Sequence, residues 1–272
     1  MFMLCISLMN SRVKTNLPIR LLETCLILLT AVFPYTPAQA RTWPEIQKAG
    51  TLVMATEGTF PPFNEFKSNK LTGFEVEIAE AIAQKLGIKY EWKTYPFDSL
   101  LIGLNQNRYD LVIASHGITP ERALAVDFSA PHYCTGGVIF SKEGGPLKEA
   151  DLKGQLVAVQ VGTTYLRHLK KVSGIKDVKT YPKDTDSLQN LLSGRVSAWV
   201  TDKFVGLQAM KSNPQAKIHQ GDMLFQEQVA IALPKGNITL QSKINEGLAM
   251  ILKDGTYATI SKKYFAEDIR CK

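Results

Sequence analysis

A segment in the middle of the chain combines a buried strand, a turn of small residues and one arginine at a fixed offset. Residues 111–114 (LVIA) predict an interior strand, and residues 115–117 (SHG) have the turn-permitting composition of a loop. Arg122 follows Pro120, which suits the first turn of a helix. A guanidinium folded over such a loop binds a carboxylate with two parallel hydrogen bonds, which lysine cannot form. The segment predicts a carboxylate-binding site, with a surface arginine in a strand-to-helix connection as the alternative.

The N-terminal residues 1–40 have the pattern of a secretory signal peptide. A basic start precedes a largely apolar stretch, residues 21–33, and the small-x-small sequence Ala38-Gln39-Ala40 predicts cleavage after Ala40. The apolar stretch is shorter than the about 20 residues that span a bilayer, and an uncleaved anchor is the alternative. Nothing later in the sequence has the pattern of a membrane span. We expect the mature chain to be soluble and exported.

The remaining chain is long enough for one large domain or two of about 110 residues each. The whole sequence has a net charge of +7, but its only adjacent basic pairs after the signal, 170–171 and 262–263, lie in helical patterns where a solvated face is the simpler explanation. We therefore expect no nucleic-acid partner. Cys134 and Cys271 remain after cleavage, in a compartment that permits disulfides. Whether they pair is left open by the sequence.

Strand and helix patterns alternate twice along the mature chain. Predicted strands cover 51–56, 88–92 and 111–114, then 156–159, 178–181 and 197–200; predicted helices cover 73–86 and 97–104, then 163–172, 187–192 and 203–210. Further strands at 138–140 and 229–233 connect the halves, and helices at 240–252 and 257–265 close the chain. Such alternation predicts two α/β lobes with parallel sheets, and a hinge that the chain crosses twice. The loops 115–117 and 162–164 follow strand ends, where ligands of α/β sheets bind, so they can face each other across a cleft.

At this point the chain resembles the polar amino-acid family of bacterial extracellular solute-binding proteins, the receptors of ABC importers, from about Gly50 to Phe265. The sequence Gly73-Phe74-Glu75-Val76-Glu77-Ile78 matches the family signature. Further segments resemble its other landmarks: 118–122 (ITPER), 127–133 (DFSAPHY), 162–164 (GTT), 194–195 (GR), Asp202 and 253–257 (KDGTY).

The resemblance implies an α/β fold of the two-lobed periplasmic binding protein type, in which a double-strand hinge joins the lobes. We expect lobe 1 to comprise 41–134 and 231–272, and lobe 2 to comprise 135–230. It also implies a monomer in the periplasm that binds a free amino acid, needs no cofactor or metal, and delivers its ligand to the permease subunits of an ABC transporter.

The resemblance also assigns the main-chain end of the ligand. Arg122 is expected to hold the α-carboxylate, together with backbone N–H groups near Gly117 and with Thr163 and Thr164 at a helix N-terminus, where amides and the helix dipole attract anions. Asp202 matches the residue that takes the α-ammonium. An N-cap for the following helix is the alternative role of Asp202, and the two roles are compatible.

In the same turn, Ser115 adds a contact to the main-chain end of the ligand, whereas Gly117 lacks one. Ser115 is expected to add a carbonyl or hydroxyl. Gly117 stands where the family usually has Thr, Ser or Asp, so one side-chain contact to the ammonium is missing at this position. His116 lies between them and is expected to point away from the ligand.

Four other residues match contacts to the ligand side chain. Phe60 and Phe97 match the pair that sandwiches it, with core packing as the alternative for Phe97. Glu57 and Gln160 match contacts at its far end. This combination resembles arginine-type receptors, whereas residues 57–59 (EGT) with 70–77 (KLTGFEVE) resemble cystine receptors equally. A basic ligand such as arginine is favoured, with cystine or glutamine as alternatives.

An exported enzyme is the rival class, because dehydratases of cyclohexadienyl acids share this fold. Glu227 or Glu57 could serve as its general acid, but neither has a partner that the sequence reveals. The four histidines form no catalytic or metal-ligand spacing. The pairing of Arg122 with Asp202 favours a zwitterion that is held intact, so the sequence predicts a binding protein. A sensing domain of a larger receptor is a third class, which the lack of a later membrane span disfavours.

Overall fold

The computed structural model describes residues 39–271. The predicted signal peptide, 1–40, lies almost entirely outside these described residues. Within them, no helix has the length and apolar character that crossing a lipid bilayer requires.

The described chain contains helices and strands throughout. The α-helices are α1 Trp43–Ala49, α2 Phe74–Lys85, α3 Phe97–Asn105, α4 Pro120–Ala125, α5 Thr164–Leu169, α6 Asp184–Leu192, α7 Lys203–Ser212, α8 Ile238–Lys253 and α9 Thr256–Phe265. The strands are β1 Thr51–Thr56, β2 Thr59–Phe60, β3 Asn64–Lys67, β4 Lys70–Thr72, β5 Lys89–Thr94, β6 Leu111–Val112, β7 Val126–Phe128, β8 Tyr133–Lys142, β9 Leu156–Gln160, β10 Asp177–Tyr181, β11 Ala198–Asp202, β12 Ile218–Val229 and β13 Ala232–Pro234.

Two five-stranded sheets divide the fold into two lobes. Sheet 1 has the order β5-β1-β6-β13-β7 and sheet 2 has the order β10-β9-β11-β8-β12. We call the elements around sheet 1 lobe 1 and those around sheet 2 lobe 2. Every residue of β11 is buried, as expected for a strand at the centre of its sheet, whereas β5 lies at an edge and is largely exposed. The two α/β lobes predicted from the sequence are therefore present.

The sheets are mixed, whereas the alternating pattern predicts parallel ones. In sheet 1, β1 runs parallel to β5 and β6, while β13 is antiparallel to β6 and β7. In sheet 2, β9 is parallel to β10 and β11, while β8 is antiparallel to both β11 and β12. The antiparallel strands belong to the two segments that cross between the lobes, β7 to β8 and β12 to β13. A chain that crosses a hinge twice must return in the opposite direction, which explains the difference.

Helices cover the sheets and form the core. In α8 the residues Leu240, Ile244, Leu248 and Ile251 are buried, a spacing that places them on one face. This face packs on α2, and α9 packs on both helices. The closing helices therefore return to lobe 1.

Several elements were not predicted, namely helix α1, the small sheet β2-β3-β4, strand β7 and most of strand β12, and some bounds differ. Helix α1 and the small sheet β2-β3-β4 precede α2. The predicted strand 229–233 is divided between the ends of β12 and β13, and the predicted helix 163–172 is the shorter α5. Cys134 and Cys271 form a disulfide, which answers the question that the sequence left open and ties the C-terminal tail to the start of β8.

Candidate functional site

A small cavity lies between the lobes, where loops after β6 and β9 face each other. Seven of the ten predicted ligand contacts line it, together with Tyr165: Phe60, Phe97, Ser115, Arg122, Gln160, Thr163 and Thr164. Of the other three, Glu57 contacts Gln160 and Gly117 contacts Arg122, while Asp202 is buried nearby. Seven of the ten predicted residues therefore lie around one cavity between the lobes.

Arg122 joins the two lobes at one end of the cavity. Its Nη1 donates to the carbonyl of Gly117 in lobe 1 over 2.8 Å, and its Nη2 donates to the carbonyl of Gly162 in lobe 2 over 3.0 Å. Gly162 has a φ of +78°, a conformation that favours glycine. A guanidinium has five N–H donors, so three remain after these two bonds. Burial lowers the pKa of Arg122, but a guanidinium remains charged at neutral pH.

Two phenylalanines form the apolar walls of the cavity. The ring of Phe97 stacks on His116, with centroids 4.4 Å apart and planes at 12°, and the Arg122 guanidinium lies 5.7 Å from the Phe97 centroid. Phe60 stacks on Phe63 with centroids 5.9 Å apart. Phe97 also packs in the core of lobe 1, so both of its predicted roles are compatible. His116 does not line the cavity, and burial lowers its pKa well below the usual value, which keeps the ring neutral.

Glu57 of lobe 1 and Gln160 of lobe 2 are hydrogen-bonded to each other across the cleft. Oε1 of Glu57 accepts from Nε2 of Gln160 over 2.7 Å and from the Thr59 hydroxyl over 2.6 Å. Burial raises the pKa of Glu57 to about 7, although these two hydrogen bonds and the charge of Lys183 oppose the shift. A cation beside Glu57 would favour its ionised form.

A buried polar network fixes the turn that carries Ser115. Glu75 is fully buried and accepts from the backbone N–H of Ser115 over 2.8 Å and from its hydroxyl over 2.9 Å. Nε2 of His132 lies 2.9 Å from Glu75, and the Asn64 amide donates to it over 3.2 Å. Ser115 adopts a φ of +55°, a left-handed conformation uncommon for this residue type. The Glu75 carboxylate offsets that strain and orients the turn toward the cavity.

Thr163 caps helix α5 and shapes the lobe 2 wall. Its hydroxyl accepts from the backbone N–H of Leu166 over 3.2 Å and donates to the carbonyl of Gln160 over 2.8 Å. Tyr165, in the first turn of α5, also lines the cavity, and sequence reasoning did not include it. Its position beside the predicted Thr164 was the available signal.

Asp202 combines a structural role with an unsatisfied oxygen. Its Oδ1 accepts from the backbone N–H groups of Phe204 over 2.6 Å and Val205 over 3.4 Å, so it is the N-cap of α7. Its Oδ2 is buried and has no hydrogen-bond partner among the described residues. Burial raises the pKa of Asp202 to about 7, and the nearby charge of Glu227 adds to the shift. Asp202 therefore has an acceptor to offer beyond its capping role.

Comparisons with known proteins point to one family. A family model described as bacterial extracellular solute-binding proteins, family 3, matches residues 52–267. The L-cystine-binding protein TcyJ of Escherichia coli strain K12 is 36% identical over 230 residues, which cover 83% of this chain and 86% of TcyJ.

Solved structures give the same result over both lobes. An ancestral arginine-binding protein, solved with glutamine and with arginine, is 44% identical with a TM-score of 0.76; the matches cover 80% and 79% of this chain and 99% and 98% of those chains. The ancestral amino acid-binding protein AncCDT-1, a precursor of cyclohexadienyl dehydratase, is 32% identical with a TM-score of 0.76, covering 82% of this chain and 98% of its own.

Proposed function

The chain belongs to the bacterial extracellular solute-binding proteins, family 3, and we propose that it is the exported receptor of an amino-acid ABC importer. In this proposal it binds a free polar amino acid between its lobes and delivers it to permease subunits in the inner membrane. It acts in the periplasm as a monomer, after cleavage of the signal peptide behind Ala40. The hinge separates lobe 1, residues 41–134 and 231–272, from lobe 2, residues 135–230.

One observation carries this proposal: the half-buried guanidinium of Arg122 reaches a cavity that residues of both lobes line. Three of its N–H donors remain for a ligand α-carboxylate, a fork that recognises this group bidentately. Thr163, Thr164 and the backbone near Gly117 and Ser115 surround the same end. The unpaired Oδ2 of Asp202 supplies an acceptor for the α-ammonium.

The groups around Glu57 favour a cationic side chain, and we propose arginine as the ligand. Phe60 and Phe97 provide ring faces, and a guanidinium gains about 0.5–2 kcal/mol from such a contact. Glu57 supplies the opposite charge, while Gln160 hydrogen-bonds to it from the other lobe. Cystine and glutamine are the second candidates, because TcyJ is a cystine-binding protein and the ancestral arginine-binding protein was also solved with glutamine.

A dehydratase acting on cyclohexadienyl acids is the competing proposal, and the similarity to AncCDT-1, a precursor of cyclohexadienyl dehydratase, supports it. Such an enzyme needs a general acid positioned over the leaving group, whereas Glu57 is already committed to Thr59 and Gln160. The arrangement of Arg122 opposite Asp202 instead suits an intact zwitterion. We therefore assign the chain as a binding protein.

Ligand screening tests the assignment directly. Thermal-shift measurements with the proteinogenic amino acids, cystine, ornithine and citrulline should identify a ligand, and calorimetry should then give its affinity. Arg122→Ala and Asp202→Ala should each weaken binding by about 2–5 kcal/mol, a factor of roughly 30 to several thousand. Arg122→Lys should fail too, because an ammonium lacks the bidentate fork.

Arg195, which is exposed, provides the matched control, and Arg195→Ala should bind as the wild type does. Binding by Arg122→Ala or Asp202→Ala within about threefold of the wild type would show that the site is wrongly assigned. If the wild type converts a cyclohexadienyl acid to product, the protein is a dehydratase and its assignment as a receptor is wrong.

A further inference from the structure

A carboxylate from lobe 2 fills the space that Gly117 leaves in the wall of the cleft. A Cβ atom added to Gly117 would lie 2.0 Å from Oε2 of Glu227 and 2.8 Å from its Cδ. Gly117 is not among the residues with positive φ, so its backbone conformation would accept other residue types. What this position requires is room for the side chain of Glu227.

The strand register places Glu227 and Asp202 on the same face of sheet 2. Both lie on neighbours of β8, the strand between β11 and β12: Glu227 lies opposite Thr135 and Asp202 lies opposite Gly137. Directly opposed residues share a face of a sheet, as do residues two apart on one strand. The two carboxylates therefore lie on one face of sheet 2, on either side of Thr135 and Gly137, and the rings of Phe225 and Tyr165 pack over Gly137.

Each of these carboxylates keeps one buried oxygen without a partner. Oε2 of Glu227 and Oδ2 of Asp202 have no hydrogen-bond partner among the described residues. Arg122 is a nearby cation, but its two hydrogen bonds go to backbone carbonyls and not to either carboxylate. Burial raises the pKa of Glu227, while side-chain hydrogen bonds with Thr164 and Tyr165 and the charge of Arg122 oppose the shift. Two buried acceptors of like charge call for a cation that brings its own hydrogen-bond donors.

We propose that Glu227 is the second carboxylate partner of the ligand's α-ammonium, supplied from β12 in place of the side chain that is absent at Gly117. An ammonium has three donors, so Oδ2 of Asp202 and Oε2 of Glu227 can each accept one. A metal ion is the other cation to consider, but residues 39–271 contain no cluster of three or more metal-ligating side chains. The inference rests on the proposed function and assigns a further residue of its ligand site.

Ligand pairs that differ only in the α-ammonium test this role. The probes are L-arginine against its des-amino analogue δ-guanidinovaleric acid, and L-glutamine against glutaramic acid. Glu227→Gln keeps the shape of the side chain and removes its charge. In the pair whose amino acid the wild type binds, this variant should lower the affinity for the amino acid by about 10- to 150-fold. The affinity for its des-amino analogue should change by less than about threefold. Asp222→Asn, an exposed carboxylate on the same strand, should change neither.

A double-mutant cycle tests the link to Gly117. Gly117→Ser alone should weaken binding, since its side chain must displace Glu227, and Glu227→Ala alone should also weaken it. The double variant should bind the ligand more tightly than either single variant. Once the side chain at position 227 is shortened, the serine hydroxyl at position 117 has room to accept a hydrogen bond from the α-ammonium.

The remaining outcomes separate this inference from the proposed function. Equal weakening of both members of a pair would show a structural role for Glu227 and overturn the inference. Tighter binding by Glu227→Gln would overturn it too, because Glu227 would then compete with the ligand's carboxylate for Arg122. If the wild type binds arginine, glutamine or cystine and Glu227→Gln binds it equally well, only this inference fails. If the wild type binds none of them, the proposed function fails and the inference with it.

Discussion

The preference for arginine over glutamine should depend on pH through Glu57. Burial raises the pKa of this carboxyl to about 7, so it is largely protonated at pH 5. A cationic side chain requires the ionised form, and two pH units below the pKa its ionisation costs about 2.7 kcal/mol. Glutamine carries no charge at this end and avoids the cost. The arginine-to-glutamine affinity ratio should rise about 100-fold from pH 5 to pH 8 and level off above the pKa.

Calorimetric titrations of both ligands across this pH range measure the ratio. Taking the ratio removes the contribution of Asp202, because both ligands carry the same α-ammonium. Glu57→Gln should lower the ratio at pH 8 by about 10- to 150-fold, the value of one hydrogen bond to a charged group, and should make it independent of pH. Glu91→Gln, an exposed carboxylate on the edge strand β5, should retain the wild-type profile.

The reasoning is refuted if the wild-type ratio is flat between pH 5 and pH 8, or if Glu57→Gln retains the slope. Binding of cystine or glutamine at least about tenfold tighter than arginine at pH 8 would show that the pocket selects a neutral ligand.

Three further predictions concern the whole molecule. Small-angle scattering should give a smaller radius of gyration with saturating ligand, as hinge closure requires; an identical profile would contradict a two-lobed receptor. Replacing Cys134 and Cys271 by serine should lower the free energy of unfolding by about 2–5 kcal/mol, because the bridge spans 137 residues of sequence; unchanged denaturant curves would contradict this. The ligand-free protein should melt at a higher temperature at pH 5 than at pH 8. Burial raises the pKa of three carboxyls to about 7, so at pH 5 the native state holds protons on them, and this stabilisation is lost as the pH rises. The three residues are Glu57, Asp184 and Asp202. The lowered pKa of His116 acts in the opposite direction, and a melting temperature that rises with pH would mean that it dominates.

Elements with a strong periodic pattern were predictable from the sequence, and short local elements were not. Helix α2 keeps apolar residues at helical spacing and was predicted nearly to its ends. Helix α1 was missed, although Thr42 and Glu45 form a capping box around it and a Pro at position 44 suits its first turn. The small sheet β2-β3-β4 has strands of two to four residues, which are too short for alternation to be recognised.

Some residues of the candidate site were likewise predictable from the sequence and others were not. Residues next to sequence landmarks, such as Arg122 beside Pro120 and Thr163 beside Gly162, were predicted because motif and neighbour lie together in the chain. The environment of Gly117 could not be predicted, because it depends on Glu227, which is 110 residues away and is brought beside it by the bridge between Gly117 and Val229 at the end of β12. Sequence reasoning considered Glu227 only as the general acid of an enzyme. The supporting contacts of Glu75 with Ser115 and His132 likewise require the folded sheet.

Recognition and closure depend on the same charges. Arg122 donates to carbonyls of both lobes, so the interaction that anchors a ligand carboxylate also holds the cleft shut. Closure without a ligand would enclose the carboxyls of Asp202, Glu227 and Glu57 in a cleft with one guanidinium, and burial raises the pKa of each of these carboxyls. An excess of buried negative charge disfavours this closed, empty state unless protons or a cation compensate it. A zwitterion with a cationic side chain brings two positive groups and one negative group, which matches the three carboxylates and Arg122 better than a neutral amino acid does. Selectivity for a basic ligand would then follow from closure itself, because other ligands leave part of that charge unbalanced.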